Sequence, residues 1–233
     1  MVNLIINKTF FYYLNFWLIG LWTLGLILLA PILSVFITSF SSSEGLWKHL
    51  FESILFNYIT NTILLMIGVS IVVTIFGVSS AWIVSRYVFF GRKHFEWLLL
   101  LPAACPAYLI AYAYTDFFEY SGAIQIILRS IFGWSAPNEY WFPEIRSLGG
   151  AIFVMSSVLY PYVYIFSRVS FLKSPSSLFE VAKLHNKNPF LNVGLPLARP
   201  AIIAGLSLVC MEVISDFGTV EFFTVNTLTL AIF

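Results

Sequence analysis

Residues Leu172–Ile203 read LKSPSSLFEVAKLHNKNPFLNVGLPLARPAII, a polar insert between two strongly apolar runs. Within it, Ser176 or Ser177 is placed to cap a helix over Leu178–Leu184, because a hydroxyl before the first turn accepts from the orphan backbone N–H groups there. Glu180 is expected in the first turn, where a carboxylate complements the helix dipole. Asn186 tolerates the left-handed conformation that closes a helix, and Pro189 blocks its continuation. The pattern predicts a short helix along a membrane surface, presenting small Ala182 and acidic Glu180 outward. Such a knuckle is read as something to be docked upon; the plainer reading is a solvated amphipathic linker.

What flanks this insert makes the chain a membrane protein. Of 233 residues, 60% are apolar and 10% charged, and mean hydropathy is +0.90. Ordinary soluble domains carry about 25% charged residues, so too few charges are present here to coat a water-soluble globule. Twelve basic against eleven acidic residues give a net charge of +1, with no basic face to neutralise phosphates, which argues against nucleic acid as a partner. A bilayer core needs about 20 apolar residues of helix. Five stretches meet that: Phe16–Phe40, Tyr58–Ser85, Trp97–Thr115, Leu148–Ser167 and Ala198–Val220. The first is too long for the apolar region of a cleaved signal peptide.

Basic residues set the orientation. With the N-terminus inside, nine (Lys8, Arg86, Arg92, Lys93, Arg168, Lys173, Lys183, Lys187, Arg199) fall inside and three (Lys48, Arg129, Arg146) outside. Seven acids (Glu44, Glu52, Asp116, Glu119, Glu139, Glu144, Glu221) fall outside. The outer connection carries an apolar segment, Ala123–Phe132, expected to be a short interfacial helix, followed by a turn-rich loop, SAPNEYWFP, at Ser135–Pro143. Pro102, Pro106 and Pro161 are expected to kink the third and fourth spans, and Gly68, Gly77 and Ala81 to form a close-packing face on the second.

The fifth span is unusual in carrying Glu212 and Asp216. Four residues apart, they are expected on one helix face, about 6 Å apart along the axis. Ionised carboxylates in a bilayer are costly and persist where they meet water, protons, a basic partner or a passing cation. They are read as lining a translocation path, with a structural, hydrogen-bonded role as the alternative. Cys105 and Cys210 lie in apolar runs as small packing residues, and His49, His94 and His185 lack metal-ligand spacing. No catalytic or certain metal-binding residue is expected.

Glu180-Val181-Ala182, then Asn186, then Leu195-Pro196, resembles the Glu-Ala-Ala motif of ABC importer permeases. Val181 stands at the first alanine, Asn186 at the glycine, and the gap to Leu-Pro is about three residues shorter than the family pattern. The resemblance implies that the loop at 172–197 is a coupling helix gripped by a cytoplasmic ATP-binding subunit. The segments WLLLLPAACPAYLIAYAYTD, YWFPEIRSLGGA, LYPYVYIFSR, LPLARPAIIAG and MEVISDFGTVEFF resemble ferric-iron permeases fed by a periplasmic binding protein. The likeness covers roughly residues 55–233.

These readings together imply an all-α polytopic transmembrane bundle with the type I ABC importer permease fold. Five spans are visible, and the sixth is missing at Phe233. Residues 1–56 form an N-terminal segment with the first span, and 57–233 the permease core. The chain has no Walker A pattern, so it is expected to be no enzyme, to bind no cofactor, and to rely on ATP bound by its partner. Further expected partners are the periplasmic binding protein, a second permease half or copy, and membrane lipid. The expected location is the bacterial inner membrane with the N-terminus cytoplasmic. Ferric iron is the favoured cargo; thiamine, sulfate or a polyamine, or a proton-coupled secondary carrier, are the alternatives.

Overall fold

The computed structural model describes residues 16–40 and 55–232. Lys8, Glu44, Lys48, His49 and Glu52, used above, lie outside the described residues. The chain divides into two compact units, one holding Phe16–Phe40 and the other Leu55–Ile232.

In the first unit, α1 (Phe16–Thr38) is apolar throughout and contains Pro31. The second unit opens with α2 (Leu55–Arg86), followed by α3 (Arg92–Leu98), a 3-10 turn over Leu101–Ala104, and α4 (Ala107–Phe118). Next come α5 (Ala123–Phe132), α6 (Leu148–Lys173) and α7 (Ser176–Leu184). A wide π turn over Phe190–Gly194 feeds α8 (Leu195–Ser215), and the short helices α9 (Gly218–Phe222) and α10 (Leu228–Ile232) complete it. No strand occurs among the described residues, so the expected all-α, polytopic architecture holds. Four helices are long and apolar enough to cross a membrane, or five if the bent α3–α4 segment counts as one span.

Helix α6 is the hub. Val154, Met155, Leu159, Val163, Tyr164 and Phe171 are fully or almost fully buried, because α2 and α8 cover it from two sides. Gly77 lets α2 approach closely: a Cβ there would lie 2.9 Å from Val163 Cβ and 3.0 Å from the Tyr160 carbonyl. Small residues at such contacts replace the hydrophobic drive that is absent between helices in lipid.

Residue pairings give the direction of each crossing. Gly68 faces Ile152, Gly77 faces Val163 and Arg86 bonds the Phe171 carbonyl, so α2 and α6 run parallel. Gly205 faces Val163 and Ser170 reaches Leu197, so α8 runs antiparallel to them. Two parallel spans need an odd number of crossings between them, which the α3–α4 segment supplies. It starts where Glu96 meets Arg168 and ends where Phe118 meets Phe153. The end of the bundle holding Arg86, Lys173 and α7 is called the lower end below, and the end holding Leu148 the upper.

The third span differs from the continuous, kinked helix expected over Trp97–Thr115. The chain bends by 97° between Arg92–Ala104 and Ala107–Phe132. Cys105 is extended (φ −108°, ψ 133°) and Pro106 follows it in an extended conformation. A proline disfavours helix at the residue before it, and Pro102 and Pro106 both lack the N–H a helix would use. Pro161, by contrast, sits inside the unbroken 26-residue α6.

The fifth span is also shorter than expected. Helix α8 stops at Ser215, and Asp216 is extended (φ −72°, ψ 115°). The chain then returns towards α2, where Leu228 N–H donates to Thr62 Oγ1 at 3.0 Å and Asn61 Nδ2 donates to the Asn226 carbonyl at 3.1 Å. Thr219, Val220, Phe223 and Thr227 on this segment are buried. Irregular backbone at membrane depth is tolerated where protein encloses it.

The interfacial helix lies over Ala123–Phe132 as expected. Gln125 turns inward, donating to the Phe118 carbonyl at 2.8 Å and accepting from Tyr140 Oη at 2.6 Å. Ile126, Ile127, Ile131 and Phe132 are exposed.

Candidate functional site

The knuckle at α7 is built differently from its expected capping. Its first helical residue is Ser176, preceded by extended Pro175, and no side chain caps it. Neither Ser176 nor Ser177 fills that role, since both lie inside the helix. Glu180 consequently sits in the second turn, outside the reach of the dipole argument. The C-terminal end is as expected: Asn186 is left-handed (φ 54°). Lys187 N–H donates to the Ala182 carbonyl at 2.9 Å and Asn186 N–H to the Lys183 carbonyl at 3.0 Å, a Schellman-type closure.

Asn188 starts the next helix. Its Oδ1 accepts from Phe190 N–H at 2.9 Å and from Leu191 N–H at 3.3 Å, with Pro189 at the first helical position, where a missing N–H costs nothing. Pro189, expected only as a stop, also opens a helix, and the Asn188-Pro189 pair is the start signal for it in the sequence. The π turn that follows, with Leu195 N–H on the Phe190 carbonyl, carries the chain into Leu195-Pro196 without a break.

One face of α7 is clamped to the spans. Phe179 is buried, with the Arg86 guanidinium 3.7 Å above its ring and Trp82 at 5.8 Å. Trp82 also meets Phe171 at 5.2 Å and Phe190 at 5.0 Å. Arg86 Nη2 donates to the Phe171 carbonyl at 2.6 Å and to the Ser174 carbonyl at 3.3 Å. This aromatic box ties the knuckle to α2 (Trp82, Arg86), α6 (Phe171) and the entry to α8 (Phe190). Gly194 belongs to it as well, because a Cβ there would lie 2.7 Å from Trp82 Cζ3.

The other face is open. Leu178, Val181 and Leu184 form an exposed apolar stripe at helical spacing, and Glu180 is exposed beside it. Ala182 points inward, only 7% exposed, which corrects the expectation that it would be presented outward. Phe179 and Ala182, three apart, share the clamped face.

The acids of the fifth span keep their one-turn spacing but differ in surroundings. Glu212 lies in the last turn of α8, and Asp216, the residue that ends the helix, donates its N–H to the Glu212 carbonyl at 3.0 Å. Asp216 Oδ1 accepts from Thr219 N–H at 2.7 Å and Oδ2 accepts from Thr219 Oγ1 at 2.8 Å, capping α9. Glu212 is exposed on the bundle surface, beside exposed Met211 and Ser215. Gly205 is level with Val163. Glu212 stands about 10 Å further up, and Leu148, the upper end of α6, about 22 Å further up. Glu212 therefore lies about 12 Å below the upper end of α6.

The breaks in the third and fifth spans adjoin. A Cβ on Gly218 would lie 3.4 Å from Tyr108 Cβ, and the rings of Tyr112 and Phe222 are 6.1 Å apart. Discontinuous helices of this kind place backbone groups and carboxylates at membrane depth without a hydrocarbon penalty. No group of three or more His, Cys, Asp or Glu stands close enough for a resident metal among the described residues.

Over 187 residues the chain is 28% identical to the Fe(3+)-transport system permease protein FbpB 2 of Haemophilus influenzae, covering 79% of this chain and 32% of that protein. Over 209 residues it is 27% identical to the sulfate transport system permease protein CysW of Escherichia coli, covering 87% and 68%. Over 193 residues it is 24% identical to the molybdate/tungstate transport system permease protein WtpB of Thermococcus kodakarensis, covering 82% and 69%. The chain thus spans about a third of the length of the ferric-iron relative. No family model matches the chain. The resemblance to ABC importer permeases holds across these relatives, whose named cargoes differ.

Proposed function

We infer that this chain is a membrane-spanning permease subunit of an ABC importer, and that α7 is the handle by which a cytoplasmic ATPase moves it. The observation that carries this is the division of α7 into two faces. The Phe179 face is locked into a box made from α2, α6 and the start of α8, while the Leu178–Val181–Leu184 face and Glu180 are left open. A force applied to the open face is passed through the Trp82–Arg86–Phe179 stack to three spans at once. Packed interiors transmit displacement in this way because they have few voids to absorb it.

In this reading the chain hydrolyses nothing, and ATP is bound by the partner. Glu180, Val181, Ala182, Asn186, Leu195 and Pro196 form the coupling segment, although Ala182 acts through the packed face. A binding protein delivers cargo at the upper end, and a second half or copy completes the pathway. The nine-to-three distribution of basic residues supports a bacterial inner-membrane protein with the lower end and the N-terminus cytoplasmic. Ferric iron is the proposed cargo, supported by the Haemophilus relative and by Glu212, an oxygen ligand suited to a hard cation.

The test is uptake into proteoliposomes containing the permease, its ATPase and the binding protein. ATP-driven accumulation of Fe3+ and not of sulfate is the expected result. Sulfate, thiamine or polyamine accumulation would keep the importer and change the cargo. Uptake driven by a proton gradient with no ATPase present would favour a secondary carrier.

A further inference from the structure

At the lower end, α2 hands over to α3 through Tyr87–Gly91, and this hairpin presents apolar side chains with no protein cover. Val88 is 91% exposed and Phe90 is 102% exposed. The hairpin is nevertheless ordered by its own contacts. Gly91 turns the chain at φ 83°, and its carbonyl accepts from His94 N–H at 2.8 Å and Phe95 N–H at 3.1 Å. Phe89 packs on Phe95 at 5.9 Å. Val88, Phe89, Phe90, Arg92, Lys93 and His94 line a groove of about 640 Å³, apolar along its walls and basic at its rim.

The charges at that rim are poorly compensated. Glu96, the acid facing the groove, is engaged by Arg168 at 2.8 Å and by Arg92 at 3.4 Å. Lys93 makes no ion pair among the described residues. Leaving a large apolar side chain in water instead of burying it is unfavourable, and this hairpin does so twice. α2 ends at Arg86 after 32 residues, about 48 Å at 1.5 Å per residue, which is long enough to carry the hairpin out of a ~30 Å hydrocarbon core to the headgroup level.

We propose that Tyr87–His94 is a binding site for an anionic phospholipid, with Val88 and Phe90 inserted among the acyl chains and Lys93, which makes no ion pair among the described residues, on the headgroup phosphate beside His94. The pairing of apolar wedge and basic rim selects a lipid over a free anion, because a soluble phosphate offers nothing for Val88 and Phe90 to enter. The site depends on the chain spanning a bilayer and is independent of the ATPase reading, so either can fail alone.

The test uses the full chain in nanodiscs of phosphatidylcholine with or without phosphatidylglycerol. A Phe90→Cys variant, with Cys105→Ser and Cys210→Ser, carries an environment-sensitive fluorophore. Quenching by nitroxide-labelled lipid is expected. Lys93→Gln is expected to lower the preference for phosphatidylglycerol over phosphatidylcholine about fivefold, as one basic residue near an anionic surface contributes. The proposal is overturned if the fluorophore is reached by aqueous iodide and not by lipid, or is shielded from both by protein. It is equally overturned if Lys93→Gln leaves the preference unchanged, or if inorganic phosphate displaces phosphatidylglycerol from the groove.

Discussion

Gly194 and Trp82 show how narrowly the knuckle is fitted. A methyl group at position 194 would meet the indole at 2.7 Å, and the indole cannot retreat because Phe171, Phe179 and Phe190 surround it. Overpacking of this kind costs about 1–3 kcal/mol. Gly194→Ala should therefore lower the thermal unfolding midpoint in detergent, and Trp82→Leu in the same chain should recover part of the loss; an unchanged midpoint in Gly194→Ala would mean that the box yields freely. Asp216 allows a second test at this scale. As a cap it is worth about 1 kcal/mol, and Asn retains an acceptor while Ala has none. Asp216→Asn should keep both stability and uptake, and Asp216→Ala should lose stability. If Asp216→Asn abolishes uptake with stability intact, the carboxylate charge itself serves transport. Glu212→Gln, which removes a carboxylate with no hydrogen bond or ion pair among the described residues, should reduce uptake at least tenfold, about 1.4 kcal/mol in the barrier, with no change in folding.

Among the elements, α7 carries the sharpest expectation. Leu178→Asp should leave the permease folded, because the side chain is exposed, yet abolish co-purification with the ATPase; retention of the ATPase by that variant would show that the stripe is not the contact. The sequence was informative here in part. Asn186 announced the left-handed closure, and the surface helix Ala123–Phe132 was legible to the residue, because turn and amphipathic signals are local. The outward face of α7 was not legible. Glu180, Val181 and Ala182 are consecutive, so which of them faces the spans depends on where Phe179 finds its aromatic partners, a tertiary fact. The end of α8 at Ser215 was hidden for another reason. In a lipid environment hydropathy is high both for helix and for irregular backbone enclosed by protein, so Ala198–Val220 read as one span. The local cue is Asp216 three residues before Thr219, a cap pattern that the apolar residues around it mask. Pro102 and Pro106 signalled disruption of the third span but not its 97° size, which reflects how α4 packs on α6 and α9.

For the whole molecule, the parallel α2 and α6, the broken crossing between them and the antiparallel α8 form one packed body centred on α6. Its lower end carries α7 and the basic hairpin, and its upper half the paired breaks with Glu212. Under the proposed coupling, a motion started at α7 has a packed route through α6 to the breaks. The central claim is that the open face of α7 is gripped by a nucleotide-driven partner. It is tested most directly by photo-crosslinking from Val181→Cys, with Cys105→Ser and Cys210→Ser, in membranes containing the ATPase, alongside Ala182→Cys as the inward-facing control. The account predicts a strong crosslink to the ATPase from position 181, on the cytoplasmic side, and a weak one from position 182. Labelling of position 181 only from the outer side, or equal failure of both positions to reach the ATPase, would contradict it.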